Sequence, residues 1–186
     1  MSAPIYVISG VPGSGKTTVA RELCARHPAS LLISGDELRE MVASGRATPI
    51  DGWSSETQQQ FDLSWRTAAG MAARYADAGF IVVIDDVLRE EDLRRQFYPE
   101  LGERSVRRVL LKPPLATAIA RNRERTTKDF DPERLVPIIE RLHDSLAAEI
   151  AGWVVIDTSA LSIAETVDRT LAAFARPPGG GEVPKY

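Results

Sequence analysis

The sequence predicts a three-layer α/β domain, a five-stranded parallel sheet with helices on both faces. Three observations carry that expectation. Short apolar runs alternate with segments of helical periodicity along almost the whole chain. The runs are apolar throughout rather than at every second residue, as strands buried on both faces require. The intervening helical segments supply the crossover that each parallel pair needs.

Each element follows from its own pattern. Ile5 to Ser9 is an apolar run that stops at Gly10, and Val19, Ala20 and Leu23 continue it as a helix. Leu31 to Ile33 is the second strand, followed by Ser34, Gly35 and Asp36 and a short helix bearing Leu38, Met41 and Val42. Beyond a loop rich in Gly, Ser and Pro, Ser55 and Gln58 have capping-box spacing. Phe61, Trp65, Ala68, Ala72 and Tyr75 then mark one face of a long helix ending near Gly79. Phe80 to Ile84 is the third strand, and Val106 to Leu111 the fourth, with a helix from Pro114 to Arg123 after it. Asp131 and Pro132 mark one start for the next helix and Pro137 argues for a later one near Val136, so that boundary stays open. Trp153 to Ile156 is the fifth strand, before a helix capped by Ser162 and Glu165. Residues 1–176 are expected to form one domain, and the Pro- and Gly-rich stretch 177–186 a mobile tail.

Composition narrows the class. Hydrophobic residues at 44% and charged residues at 26% describe a soluble globular chain. A formal net charge of −3 argues against a large nucleic-acid surface, which needs clustered Lys and Arg. Cys24 has no partner for an internal disulfide and suits a reducing cytoplasm. The amino terminus lacks a signal-peptide pattern, and no apolar run reaches the roughly 18 residues of a membrane span. His27 and His143 have no metal-ligand spacing.

The sharpest motif is Gly10-Val-Pro-Gly-Ser-Gly-Lys-Thr17, which matches G-x-x-x-x-G-K-[ST] between a predicted strand and a predicted helix. Gly10, Gly13 and Gly15 let successive amides, with that of Ser14, point into an anion nest. The helix start, including Thr18, adds positive potential. Lys16 reaches the terminal phosphates and the Thr17 hydroxyl is offered to Mg²⁺. A tight turn that merely packs would leave Lys16 and Thr17 unexplained.

In a parallel sheet, ligands bind beyond the carboxyl ends of the strands, so the loops after Ser9, Ile33 and Ile84 should converge. Asp36 and Arg39 then project from one helical turn toward the crevice. The carboxylate there can accept a hydroxyl proton, and the arginine can hold an anion or the transferring phosphoryl group. The alternative is local: Asp36 favours the helix start, with Ser34 and Glu37 as a capping box. Asp85 and Asp86 end a buried strand, where one of them, Asp85 by preference, can serve Mg²⁺ while the other faces the opposite way.

The stretches Gly10 to Thr17, Ser34-Gly-Asp-Glu-Leu-Arg39, Ile84-Asp-Asp-Val87 and a downstream arginine cluster resemble the P-loop kinases of the zeta-toxin, polynucleotide kinase and chloramphenicol phosphotransferase group, within the AAA-type P-loop NTPase superfamily. The resemblance spans nearly the whole chain and implies a nucleoside-kinase-like P-loop fold with a small arginine-bearing lid at about 122–132. It implies ATP and Mg²⁺ as donor and cofactor, Asp36 as general base and Arg39 as a contact to substrate phosphate. In the lid, Arg121 and Arg125 share a helix face and are the expected phosphate contacts, with Arg125 catalytic. The alternative for those arginines is a solvated helix face. Trp53, Phe61 and Trp65 lie where related small-molecule kinases place the acceptor; Trp53, in a loop, is the expected ring contact, together with Asp86, while Phe61 and Trp65 have core spacing.

The expectation is therefore a kinase that moves the γ-phosphoryl group of ATP to a hydroxyl of a small molecule such as an antibiotic or metabolite. A polynucleotide 5′-hydroxyl is the alternative acceptor, because the Asp-x-x-Arg spacing is similar to polynucleotide kinases and the Ile-Asp-Asp-Val stretch to chloramphenicol phosphotransferases. A nucleotide-dependent switch or ATPase without an acceptor is the alternative from a different class.

Overall fold

Alternation along a strand turns each apolar run into two buried faces. In the first strand, β1 (Ile5–Ser9), Ile5 and Val7 face one side and Tyr6 and Ile8 the other, all of them buried. The computed structural model describes residues 2–124, 131–148 and 150–175 of this chain. Among those residues the sheet has five strands in the order β2-β3-β1-β4-β5, with β2 (Ser30–Ser34), β3 (Ile81–Asp85), β4 (Val106–Leu111) and β5 (Val154–Ile156) all parallel to their neighbours.

Tyr6, Ile8, Val83, Val109, Leu111 and Ile156 meet α1 (Lys16–Ala25) and α8 (Ile163–Ala173) on one face. On the other, Ile5, Val7, Ile33, Val82 and Ile84 meet α3 (Ser55–Asp77). Leu110, farther along the same face, meets α6 (Leu115–Arg123) and α7 (Val136–Ala148). The short α2 (Gly35–Glu40) leaves directly from β2 with Ser34 as its cap. This is the expected three-layer arrangement.

Some boundaries differ from the expected ones, and the one left open falls at Val136. The cap of α3 is Ser54, whose hydroxyl accepts the Thr57 amide at 3.2 Å, one residue before the Ser55 and Gln58 pair expected from spacing. The third strand runs one residue later than the apolar run, because its pairing with Ile8 and Ser34 extends to Asp85. After Asp131 the chain makes a 3₁₀ turn, Pro132–Leu135, and α7 starts at Val136. Pro137 thus falls in the first turn of α7, where its missing amide costs nothing.

One segment was not foreseen. Between β3 and β4, α4 (Glu90–Asp92) passes through a π-helical stretch, Leu93–Phe97, into α5 (Tyr98–Leu101). Asp92 starts it by accepting from the Arg89 amide at 2.9 Å. Leu93, Phe97 and Leu101 are fully buried against α3 and the sheet, recurring every four residues among exposed charges. Phe97→Ala should lower unfolding free energy by about 3–5 kcal/mol, read as an earlier denaturation midpoint at unchanged slope.

Candidate active site

The register of the sheet assembles the site. Asp85 pairs with Ile8 on one side and with Ser34 on the other, so β1, β2 and β3 stop at one level and their following loops meet. Ser9 ties two of those loops together: its hydroxyl donates to the Leu88 carbonyl at 2.7 Å and accepts the Leu88 amide at 2.9 Å.

The phosphate loop needs its glycines for two reasons. Gly10, Gly13 and Gly15 have positive φ, at 148°, 84° and 96°. A Cβ on Gly10 would also lie 2.5 Å from the Leu111 carbonyl oxygen, and one on Gly13 only 2.1 Å from that of Ala118. Gly15 precedes α1 without a capping side chain, so the leading amides of that helix face the loop. Lys16 donates to the Val11 carbonyl at 3.2 Å, Thr18 is exposed on the first helical turn, and the buried Ser14 hydroxyl has no hydrogen-bond partner among the described residues.

Asp85 faces this loop. Its carboxyl is pushed above the ordinary carboxylate range by burial, opposed by the Lys16 charge and a hydrogen bond with Thr17, and raised further by the charges of Asp86 and Asp36. A buried carboxylate beside the loop threonine, with two more carboxylates nearby, is a place where a cation relieves charge. The donor set therefore fits Mg²⁺ held by Thr17 and Asp85. Among the described residues no cluster of three or more His, Cys, Asp or Glu could hold a metal unaided, so phosphate oxygens and water would complete the shell.

Asp86 points the other way and is engaged inside the protein. It accepts from Arg39 at both oxygens, 2.8 and 3.0 Å, from Trp65 Nε1 at 2.9 Å and from the Val87 amide at 2.8 Å. Arg39 in turn donates to Asp36 at 2.8 Å and lies 4.2 Å over the ring of Phe61. Burial would lower the Arg39 pKa, but the Asp86 and Asp36 carboxylates hold it well above its ordinary value. Asp36 itself sits at the mouth, its side chain 62% exposed against 4% for Asp86. Trp53 is 54% exposed, with its Nε1 bonded to Gln58 and its ring 4.8 Å from Phe61. Phe61 and Trp65 belong to the core, as their spacing suggested, yet they also support Arg39 and Asp86.

Arg121 lies on the other flank of the loop, donating to the hydroxyl and carbonyl of Thr158 at 3.1 and 2.9 Å. Arg125 and most of the expected lid lie outside the described residues. On either side of that stretch, Arg123 pairs with Glu133 and Asn122 donates to the Pro132 carbonyl at 3.0 Å.

A glycine nest after the central strand, a carboxylate beside its threonine and a further carboxylate at the next strand end fit a P-loop kinase. Residues 5–149 match a family described as an AAA domain. A cytidylate kinase of Methanosarcina acetivorans is 30% identical over 162 residues, covering 86% of this chain and 83% of that one. The structure of the Deinococcus radiodurans tunicamycin resistance protein aligns with TM-score 0.64 at 24% identity, covering 95% and 99% of the two chains. A gluconokinase from Sinorhizobium meliloti 1021 aligns with TM-score 0.63 at 21% identity, covering 94% and 92%. At these identities the structural likeness is one of fold. The chain belongs to the AAA-domain family, and it is an ATP-dependent kinase. No helix among the described residues is long and apolar enough to cross a membrane.

Sequence reasoning missed Gly35, Ser9 and Thr158. Gly35 had a readable signal, a small residue directly before Asp36; Ser9 and Thr158 act through contacts distant in sequence. A Cβ on Gly35 would meet Asp86 Oδ2 at 2.0 Å, and that carboxylate has no freedom to yield. Gly35→Ala is expected to cost about 1–3 kcal/mol, and much less when Asp86 is also changed to Ala, a coupling that a double-mutant cycle in denaturant measures.

Proposed function

We propose that this kinase transfers the γ-phosphoryl group of ATP to a hydroxyl of a small molecule, with Asp36 as general base. The observation that carries the reading is the exposed Asp36 carboxylate, close enough to Asp85 for its charge to act there, and held by Arg39 at the mouth of the crevice. In the reaction the acceptor oxygen attacks the γ-phosphorus, its proton passes to Asp36, and the bond to the β–γ bridging oxygen breaks to release ADP. Lys16 and the loop amides balance charge on the phosphate oxygens, and Arg121 lies on the donor side. Mg²⁺, when bound at Thr17 and Asp85, supplies further charge neutralisation at the phosphates. Arg39, fixed by two carboxylates and by Phe61, orients Asp36 and borders the acceptor, and the open face of Trp53 suits a ring on that acceptor.

A nucleoside monophosphate acceptor is the second reading. It is favoured by the identity with cytidylate kinase and by Arg39, a guanidinium beside Asp36 on the acceptor side. A phosphate monoester is already ionised at neutral pH, with a second pKa of about 6, so it needs no base. That difference separates the readings.

Labelled ATP should be presented to hydroxyl metabolites, antibiotics, short 5′-hydroxyl oligonucleotides and nucleoside monophosphates, with product analysis. Lys16→Ala should abolish transfer to any of them. Asp36→Asn should lower transfer to a hydroxyl by roughly 10²–10⁴-fold. Transfer to a monophosphate that survives Asp36→Asn would replace the first reading with the second, and ATP loss indifferent to every acceptor would defeat both.

A further inference from the structure

We propose that Thr158 is a positioning residue for the donor nucleotide, its hydroxyl fixing the Ser14–Gly15 peptide of the phosphate loop and joining it to Arg121. The inference rests on the donor reading of that loop. Thr158 lies in the turn between β5 and α8 and is 5% exposed. Leu111 of β4 pairs with Ile156 of β5, and the Leu111 carbonyl abuts Gly10, so this turn runs beside the phosphate loop.

The hydrogen-bond directions are determined by chemistry. A guanidinium only donates, so the Thr158 hydroxyl accepts from Arg121 Nη1 at 3.1 Å. Its single proton is then available for the Ser14 carbonyl, 3.2 Å away. The Thr158 carbonyl takes Arg121 Nη2 at 2.9 Å, so the arginine is held at two points. On the other side of the loop Gly13 lies against the Ala118 carbonyl, so the helix that carries Arg121 and the loop are in direct contact.

The consequence lies in the peptide plane. The Ser14 carbonyl and the Gly15 amide belong to one rigid, trans unit and point in opposite directions. A carbonyl anchored on Thr158 therefore aims the Gly15 amide away from Thr158, toward the concave side where phosphate oxygens would sit. Gly15 needs such an anchor. It has no side chain, its φ is 96°, and among the described residues nothing beyond its own chain neighbours lies within 4 Å of where a Cβ would be. Thr158 sets the orientation of that donor without touching the nucleotide.

The test is calorimetric binding of a non-hydrolysable ATP analogue with Mg²⁺ to the full chain, together with the ATP KM, kcat and melting temperature. Thr158→Val keeps the shape and removes the hydroxyl. It is expected to weaken binding roughly 5- to 30-fold, to raise the ATP KM in step, and to leave the acceptor KM unchanged. Thr158→Ser, which keeps the hydroxyl, should bind within about twofold of the unsubstituted chain. Thr158→Ala should repeat the loss, which covers the case in which the valine variant does not fold. Unchanged affinity in Thr158→Val or Thr158→Ala, even with a lowered melting temperature, would overturn the proposal, as would a serine variant as weak as valine. Failure of the unsubstituted chain to bind the analogue would instead overturn the donor reading, and this inference with it.

Discussion

The whole site hangs on where three parallel strands stop. With Ile8 and Ser34 both opposite Asp85, the phosphate loop, the start of α2 and the Asp85–Asp86 pair are brought to one level. A shift of one residue in β3 would exchange the faces of Asp85 and Asp86, sending one carboxylate away from Thr17 and the other away from Arg39. Buried apolar faces on both sides of β3 oppose that slip, since Val82 and Ile84 face α3 while Val83 faces α1. The packing of the core therefore also determines which carboxylate serves which half of the site.

Charge is distributed unevenly across that crevice. Asp85 is a buried acid whose carboxyl is raised mainly by burial, a condition that binding of a cation relieves. Asp86 is just as buried but fully bonded, by a guanidinium, an indole, and a backbone amide. The two adjacent carboxylates thus have separate partners because strand alternation gives them separate surroundings. Asp86 holds Arg39, Arg39 holds Asp36, and the aromatic row from Trp65 through Phe61 to Trp53 supports that series from the core outward. Buried pairs of this kind contribute little net stability but cost several kcal/mol when one partner is lost, on the order of 3–5, so their benefit is a fixed geometry.

Much of this was legible in the residues. The apolar run that stops at Gly10, the Lys16–Thr17 pair and the α3 stripe from Phe61 to Ala72 follow from local rules, and they fell where those rules put them. The convergence of Ser9, Ile33 and Ile84 followed from the general behaviour of parallel sheets, without knowledge of strand order. The segment 90–101 escaped because Glu90, Glu91, Asp92, Arg94 and Arg95 surround Leu93, Phe97 and Leu101, and a π-helical stretch breaks the regular period. The partners of Asp86 and Thr158 escaped for another reason. Trp65, Arg39 and Ser14 meet them across dozens of residues, and no spacing rule relates such pairs.

The central place of β1 bears on how the chain matures. Its hydrogen-bonding neighbours are β3 and β4, so Ile5 is not paired on both edges until Val82 and Val106 have been made. The glycine loop leaves the ribosome well before its walls, the Leu111 and Ala118 carbonyls, are made. A nascent chain that stops short of β4 carries the complete phosphate motif with nothing to shape it. Competence to bind a nucleotide therefore waits for β4 and α6 and depends on long-range contacts, which form slowly.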